Sequence, residues 1–314
     1  MSETTQKPKA TRQAFGEALA ALGAEFTDVV VLDADLAKST KSELFGKKFP
    51  ERFFEMGIAE QNMIGVAAGL GSSGKNAWCC SFACFVAGRF ETIKMSVAYA
   101  GANVKIVGTH AGVGIGPDGY SQMGLEDLAL MRTLPGMQVF QPSDEPECKQ
   151  MIAYLCQHRG PAYIRLTRQD LTPMHGPDYR FVPGKLDVLA EGKDVAIFAT
   201  GGPVMHAMTA KKQLAAAGID AAVINVPTIK PIDREGIAAW AKKVPLFVSV
   251  EDHNVLGGMG GAVAEVLAET GGARLHRHGI PDVFGESGEP EDLYRKFRLD
   301  GDGITSVVRE ALGR

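Results

Sequence analysis

Short β-branched runs alternate with helical stretches along almost the whole chain, and no other feature restricts the fold as much. Residues 8–26 carry Ala14, Phe15, Ala18, Leu19 and Leu22 at helical spacing, and the run Val29 to Leu32 follows as a strand. EQNMIGVAAGL, FVAGRFETIKMSVAYA, LEDLALMRTL and PECKQMIAYLCQ read as helices, interleaved with the strands AWCCSF, VKIVG, MQVFQ and AYIRL. Strands separated by helices of this length require crossover connections, which are right-handed and give a parallel sheet covered on both faces. After Arg168 the stretch QDLTPMHGPDYRFVPGK has three prolines and no period, so it reads as a linker. The alternation resumes at Asp194 with DVAIFAT, AAVINV, LFVSVED and ARLHRH between helical segments. The expected architecture is α/β, with two consecutive domains, each a mainly parallel sheet flanked by helices. The first spans 8–175, the linker 176–190 and the second 191–314.

Composition narrows the function. A chain of 314 residues, 45% apolar and 22% charged, has enough apolar surface for a core in each domain. Its formal net charge of −4 implies no basic face, so nucleic acid is not an expected partner. Cys79, Cys80, Cys84, Cys148 and Cys156 lack the spacing of a disulfide framework or zinc site and read as small buried thiols of a reducing cytoplasm. The start, MSETTQKPKATR, is polar and unlike a signal peptide, and no apolar run approaches the ~20 residues of a membrane span.

Three glycine-containing motifs stand out. Gly114 to Gly119 fits G-x-G-x-x-G after a strand, but Pro117 and Asp118 delay the helix to about Leu125. A dinucleotide fingerprint needs its last glycine to open the helix, so this segment reads as a long ligand loop at a strand's carboxyl end. GGMGGAVAEVL leads into a helix whose N-terminus suits an anion, although close helix–strand packing explains it as well. Gly301-Asp302-Gly303 lacks downstream asparagines and reads as a helix start.

The most specific stretch is RFFEMGIAEQNMIGVAAGLG, with Glu60 opening a helix. A lone glutamate there is ordinarily a partner for the helix dipole. With SFACFVAGR and GTHAGVGIGPDGYSQMGLEDLALMR following in order, the chain resembles the transketolase family. EDHNVLGGMGGAVAEVL and GIPDVFGESGEPEDLY resemble that family's third domain, so the likeness runs from about Lys9 to about Arg309. It is closest to the C-terminal subunit of a two-gene transketolase. The family's diphosphate-binding domain has no counterpart in this sequence.

The resemblance implies thiamine diphosphate as cofactor, with Mg²⁺ (or Ca²⁺) held by an N-terminal partner subunit in an α2β2 assembly, and no metal ligand on this chain. It makes Glu60 the acid that moves a proton to the cofactor's pyrimidine ring, since a carboxyl in a partly apolar site holds its proton more tightly than in water. Phe85, with Phe82 beside it, would meet the pyrimidine, and Asp35 would lie near the cofactor. His110 would contact the donor's hydroxyls and act in catalysis, and Asp118 would read the 2-hydroxyl. Arg12, Ser39 and Arg168 match a phosphate-binding set, with Arg165 as a further candidate, because guanidinium groups bind phosphate bidentately. Gln122 stands where many microbial relatives carry His, and Gly88 where many carry Tyr. The implied reaction transfers a two-carbon ketol unit between sugar phosphates. The competing readings are a 2-oxoacid dehydrogenase β-type subunit, a relative of deoxyxylulose-phosphate synthase, and a non-catalytic regulatory subunit.

Overall fold

Glu60 and the loops around it lie at the carboxyl ends of the strands of a seven-stranded sheet. The computed structural model describes residues 7–314, so the opening of the polar start, MSETTQ, lies outside the described residues. Across the sheet the strands are Thr228–Lys230, Gln138–Phe140, Ala162–Arg165, Val104–Thr109, Asn76–Phe82, Val29–Asp33 and Phe53–Glu55. All neighbours pair in parallel except Thr228–Lys230, which runs antiparallel to Gln138–Phe140. That edge strand comes from the second half of the chain, so the two halves share a sheet. Three residues are too few for a period to show, and neither Phe53–Glu55 nor Thr228–Lys230 is visible in the sequence pattern.

The inner strands Val29–Asp33 and Asn76–Phe82 are buried on both faces, in keeping with their largely apolar runs. On one face, helices Thr11–Leu22 and Glu145–Gln157 bring Phe15, Leu19, Ile152 and Leu155 against Trp78. On the other, helix Glu60–Ser72 packs Met63, Ile64 and Ala67 toward Val104 and Ile106. Each such side chain contributes about 1.5–3 kcal/mol through burial. The segment read as one helix from Phe85 is broken at Gly88 and Arg89 and continues as a π-helix, Ile93–Tyr99.

The second half forms a five-stranded sheet in the order Arg274–Ile280, Leu246–Asn254, Val195–Ala199, Ala221–Asn225, Asp187–Ala190. Its first four strands are parallel and the last is antiparallel. Asp187–Ala190 falls in the stretch expected to be linker. The irregular residues just before the linker are also held: Asp170–Leu171 pairs with Lys9–Ala10, and His175 is buried. Gly301 does start a helix, capped by the Asp300 carboxylate at the Gly303 N–H. Cys79, Cys80, Cys148 and Cys156 are buried and Cys84 is half-buried, all as free thiols, and burial pushes Cys79, Cys84 and Cys156 up to about 12. Among the described residues, no helix is long and apolar enough to cross a membrane.

Candidate active site

In a parallel sheet the loops leaving the carboxyl ends of the strands are free to converge on a ligand. Here they deliver Ala34 to Ser42 after Val29–Asp33, Ser81 to Phe85 after Asn76–Phe82, His110 to Gln122 after Val104–Thr109 and Leu166 to Arg168 after Ala162–Arg165. Glu60 is the first residue of its helix, so its carboxylate meets the positive end of the helix dipole. It is 6% exposed. Ser81 Oγ donates to Oε1 at 3.4 Å, a long bond that leaves Oε2 for a ligand.

Phe82 and Phe85 lie side by side with ring centroids 5.6 Å apart and planes 7° apart. The His110 ring stacks on Phe82 at 3.8 Å. His110 has φ 58, a left-handed conformation that costs a non-glycine residue energy and turns its ring back over the sheet edge. Its hydrogen bonds fix its tautomer. Arg12 can only donate, so Nε2, 3.0 Å from the guanidinium, accepts. Nδ1 therefore carries the hydrogen and donates to Thr109 Oγ1 at 2.8 Å, and that hydroxyl donates to the Ser81 carbonyl. Burial, then the charges of Arg12, Arg168 and Lys41, lower the imidazole pKa to about 3, so the ring is neutral at ordinary pH.

Arg12 and Arg168 form a cationic mouth. Burial and then the neighbouring Arg168 charge lower the Arg12 pKa, the signature of two cations without a full counterion. Arg12 donates to the Ser39 carbonyl at 2.7 Å, and its Nε is buried with no partner. It is thus the backbone oxygen of Ser39, rather than its hydroxyl, that meets Arg12. Arg168 donates to the Ile115 carbonyl at 2.6 Å and lies 3.5 Å from the Asp118 carboxylate. Asp118 is exposed and Gln122 half-buried on the same loop, while Asp35 is exposed, with its N–H donating to Glu55. Gly114 to Gly119 runs between two short 3-10 turns, Val113–Ile115 and Tyr120–Gln122, and the α-helix Asp127–Thr133 begins only beyond them.

Arg165 corrects an expectation. It is 1% exposed and bonds Asp127 at 2.8 Å and the Gly124 carbonyl at 2.8 Å, so it faces the interior rather than a phosphate. Burial alone would push Asp127 up, but the Arg165 charge, helped by His253 and the bonds from Arg165 and Tyr163, holds it below its usual range. Arg165→Met leaves that carboxylate buried without its partner. We expect a loss of about 3–5 kcal/mol in chemical denaturation; an unchanged midpoint would refute a structural role.

Three residues escaped the sequence reading. Lys41 adds charge near His110. Thr109 fixes the His110 tautomer. Buried Asp33, pushed up to about 6 chiefly by burial, accepts from the Leu36 N–H, Thr40 and Ser42, and so shapes the loop carrying Ser39. An acidic residue closing a β-branched run before hydroxyl residues was the available signal. The glycine turn at Gly257 to Gly261 holds no external anion: Glu251 occupies that helix start, accepting from the Met259 and Gly260 N–H groups.

The profile of the transketolase pyrimidine-binding domain matches residues 7–174, and that of the transketolase C-terminal domain matches 184–304. The chain is 44% identical over 308 residues to a Methanocaldococcus jannaschii protein provisionally named a transketolase C-terminal section, covering 97% of this chain and 96% of that one. A Clostridium 6-deoxy-6-sulfo-D-fructose transketolase subunit is 40% identical, covering 91% of this chain and 89% of its own length. A solved split-gene transketolase, described as an inactive beta4 tetramer, is 48% identical with a TM-score of 0.90, covering 97% of this chain and 98% of that one. The chain belongs to the transketolase family and comprises its pyrimidine-binding and C-terminal domains.

Proposed function

We propose that this chain is the C-terminal subunit of a thiamine-diphosphate-dependent transketolase that moves a two-carbon ketol unit from a ketose phosphate to an aldose phosphate. It is active only with an N-terminal partner subunit that holds the diphosphate and its Mg²⁺ or Ca²⁺, in a cytoplasmic α2β2 assembly. In this reading 8–175 is the pyrimidine-binding domain, 176–190 the linker and 191–314 the C-terminal domain.

The observation that carries the proposal is the half-site at the carboxyl ends of the strands. Glu60 and the parallel Phe82–Phe85 pair fit a flat heteroaromatic ring with a nitrogen to protonate. A metal–diphosphate needs carboxylate or amide oxygens and free N–H groups. Among the described residues, the one cluster with metal-ligand spacing is Glu147, His175 and Asp187, and its imidazole is bonded to carboxylates at both nitrogens. Ile58 and Tyr99, 83% and 84% exposed, flank the Glu60 helix and give a partner apolar surface to cover.

When bound, the cofactor supplies a carbanion equivalent at its thiazolium carbon. Glu60 holds or yields a proton at Oε2. Phe82 and Phe85 present apolar faces and exclude water. Neutral His110 contacts sugar hydroxyls, acting as acceptor at Nε2 once Arg12 turns to the phosphate. Arg12, Arg168 and the Ser39 loop bind that phosphate, and the unpartnered Arg12 Nε is a donor in waiting. Asp118 and Gln122 read hydroxyl configuration.

The purified chain, given thiamine diphosphate, Mg²⁺ and a ketose-phosphate/aldose-phosphate pair, is expected to show no turnover. Adding a partner subunit carrying the Gly-Asp-Gly diphosphate motif should start it. Turnover by the chain alone overturns the split-site reading, and turnover of pyruvate in place of the ketose overturns the transketolase reading.

A further inference from the structure

The loop carrying Asp118 belongs to the first half of the chain, yet its anchors come largely from the second. Asp252, on strand Leu246–Asn254, is 3% exposed. Its Oδ1 accepts from the Val113 N–H at 2.8 Å and its Oδ2 from the Gly114 N–H at 3.3 Å. Tyr294, on helix Pro290–Lys296, donates to Oδ2 at 2.9 Å and accepts from Gln169 Nε2 at 2.8 Å. Gln169 directly follows Arg168, which in turn donates to Ile115 in the same loop.

Sterics say the same. Gly112 has φ 80, and a Cβ there would stand 2.1 Å from Asp252 Oδ2. A Cβ at Gly119 would stand 2.6 Å from Ser287 Oγ. The loop thus has glycine where the second half presses on it. Among the described residues no cation bonds Asp252 directly; a buried carboxylate whose donors are two loop amides and a phenol is committed to holding that loop.

We propose that Asp252, supported by Tyr294, is a positioning residue for substrate: it fixes Val113 and Gly114, and through that loop sets Asp118 and Arg168 at the mouth of the site. The C-terminal domain then governs sugar-phosphate affinity without touching the reacting atoms. This rests on the transketolase reading for its kinetics but not for its geometry.

The test uses Asp252→Asn and Tyr294→Phe in the full chain, reconstituted with its partner subunit. Asparagine keeps one acceptor oxygen, and phenylalanine removes only the phenol, so both spare the core. KM for the ketose phosphate should rise about ten-fold in Asp252→Asn and less in Tyr294→Phe, with kcat within about three-fold of wild type. Amide hydrogen exchange on the chain alone should quicken about ten-fold at Val113 and Gly114 and stay unchanged across Val104–Thr109. Unchanged exchange at those two amides in both variants overturns the proposal whatever the activity. So does faster exchange with wild-type KM, which would mark Asp252 as merely structural. If exchange responds but the wild-type complex transfers no ketol unit, the functional reading fails and the anchoring stands.

Discussion

Glu60→Gln is expected to cut ketol transfer by about 10²–10⁴-fold in the reconstituted complex, the contribution typical of a positioned acid–base group. The substitution keeps the volume of the side chain, and an amide oxygen still accepts from Ser81 Oγ. The helix start loses a charge–dipole contact of about 0.3–1 kcal/mol, too little to unfold the chain or prevent assembly. What disappears is the proton exchanged with the cofactor ring. Initial rates should collapse with saturating cofactor while native mass spectrometry still shows the intact complex. Near wild-type rates would remove Glu60 from the mechanism, and failure of the complex to form would assign it to assembly instead.

The parts of this site visible in the sequence share a physical character. Parallel strands need apolar runs and crossovers need helical periods, so the strand ends, and hence the loops, can be placed without coordinates. His110 and Asp118 are placed by such a strand end and Glu60 by its helix start, each read with the family likeness. Local pattern is silent about pairing across distance. Arg165 and Arg168 sit three residues apart at the same strand end, yet one closes on Asp127, 38 residues earlier, and the other stays half-exposed at the mouth. Nothing within a window of either arginine distinguishes them. The prolines between Asp170 and Lys185 signal irregular backbone correctly, but irregular is not loose. That stretch is fastened by side chains from both halves of the chain, among them Asp144, Gln150, Asp187 and Thr228, and no periodicity records it.

His175 is that fastening. It lies in the irregular stretch, and its Nδ1 and Nε2 each stand 2.8 Å from a carboxylate, Asp144 on one side and Asp187 on the other. Asp144 caps helix Glu145–Gln157 of the first half, while Asp187 begins the edge strand of the second sheet. Glu147 extends the network to Tyr179 and to Asn225 of the second sheet. Burial alone would lower the imidazole pKa, but its hydrogen bonds to the Asp144 and Asp187 carboxylates and the charge of Glu147 raise it to about 10. Asp144, though burial pushes it up, is held low by the His175 bond and charge, whereas burial keeps Glu147 raised. Both imidazole nitrogens carry hydrogens, so removing the ring strands two carboxylates. His175→Phe is expected to cost about 3–5 kcal/mol in chemical denaturation at pH 7.

The pH dependence separates charge from packing. The folded state holds the His175 proton up to about pH 10, and the unfolded chain releases it near ~6.5. The stabilisation is therefore complete below the unfolded value and is lost as pH rises through the folded one. Lys105 works in the opposite sense, since burial lowers it to about 7, so wild type should be compared with the variant rather than read alone. The stability difference between wild type and His175→Phe should shrink by roughly 2 kcal/mol between pH 7 and pH 9, within the limit of about 1.4 kcal/mol per pH unit for one proton. A difference that stays constant across that interval would mean the ring contributes by packing on Tyr179, which it stacks at 3.8 Å, and not as a charged clasp between the halves.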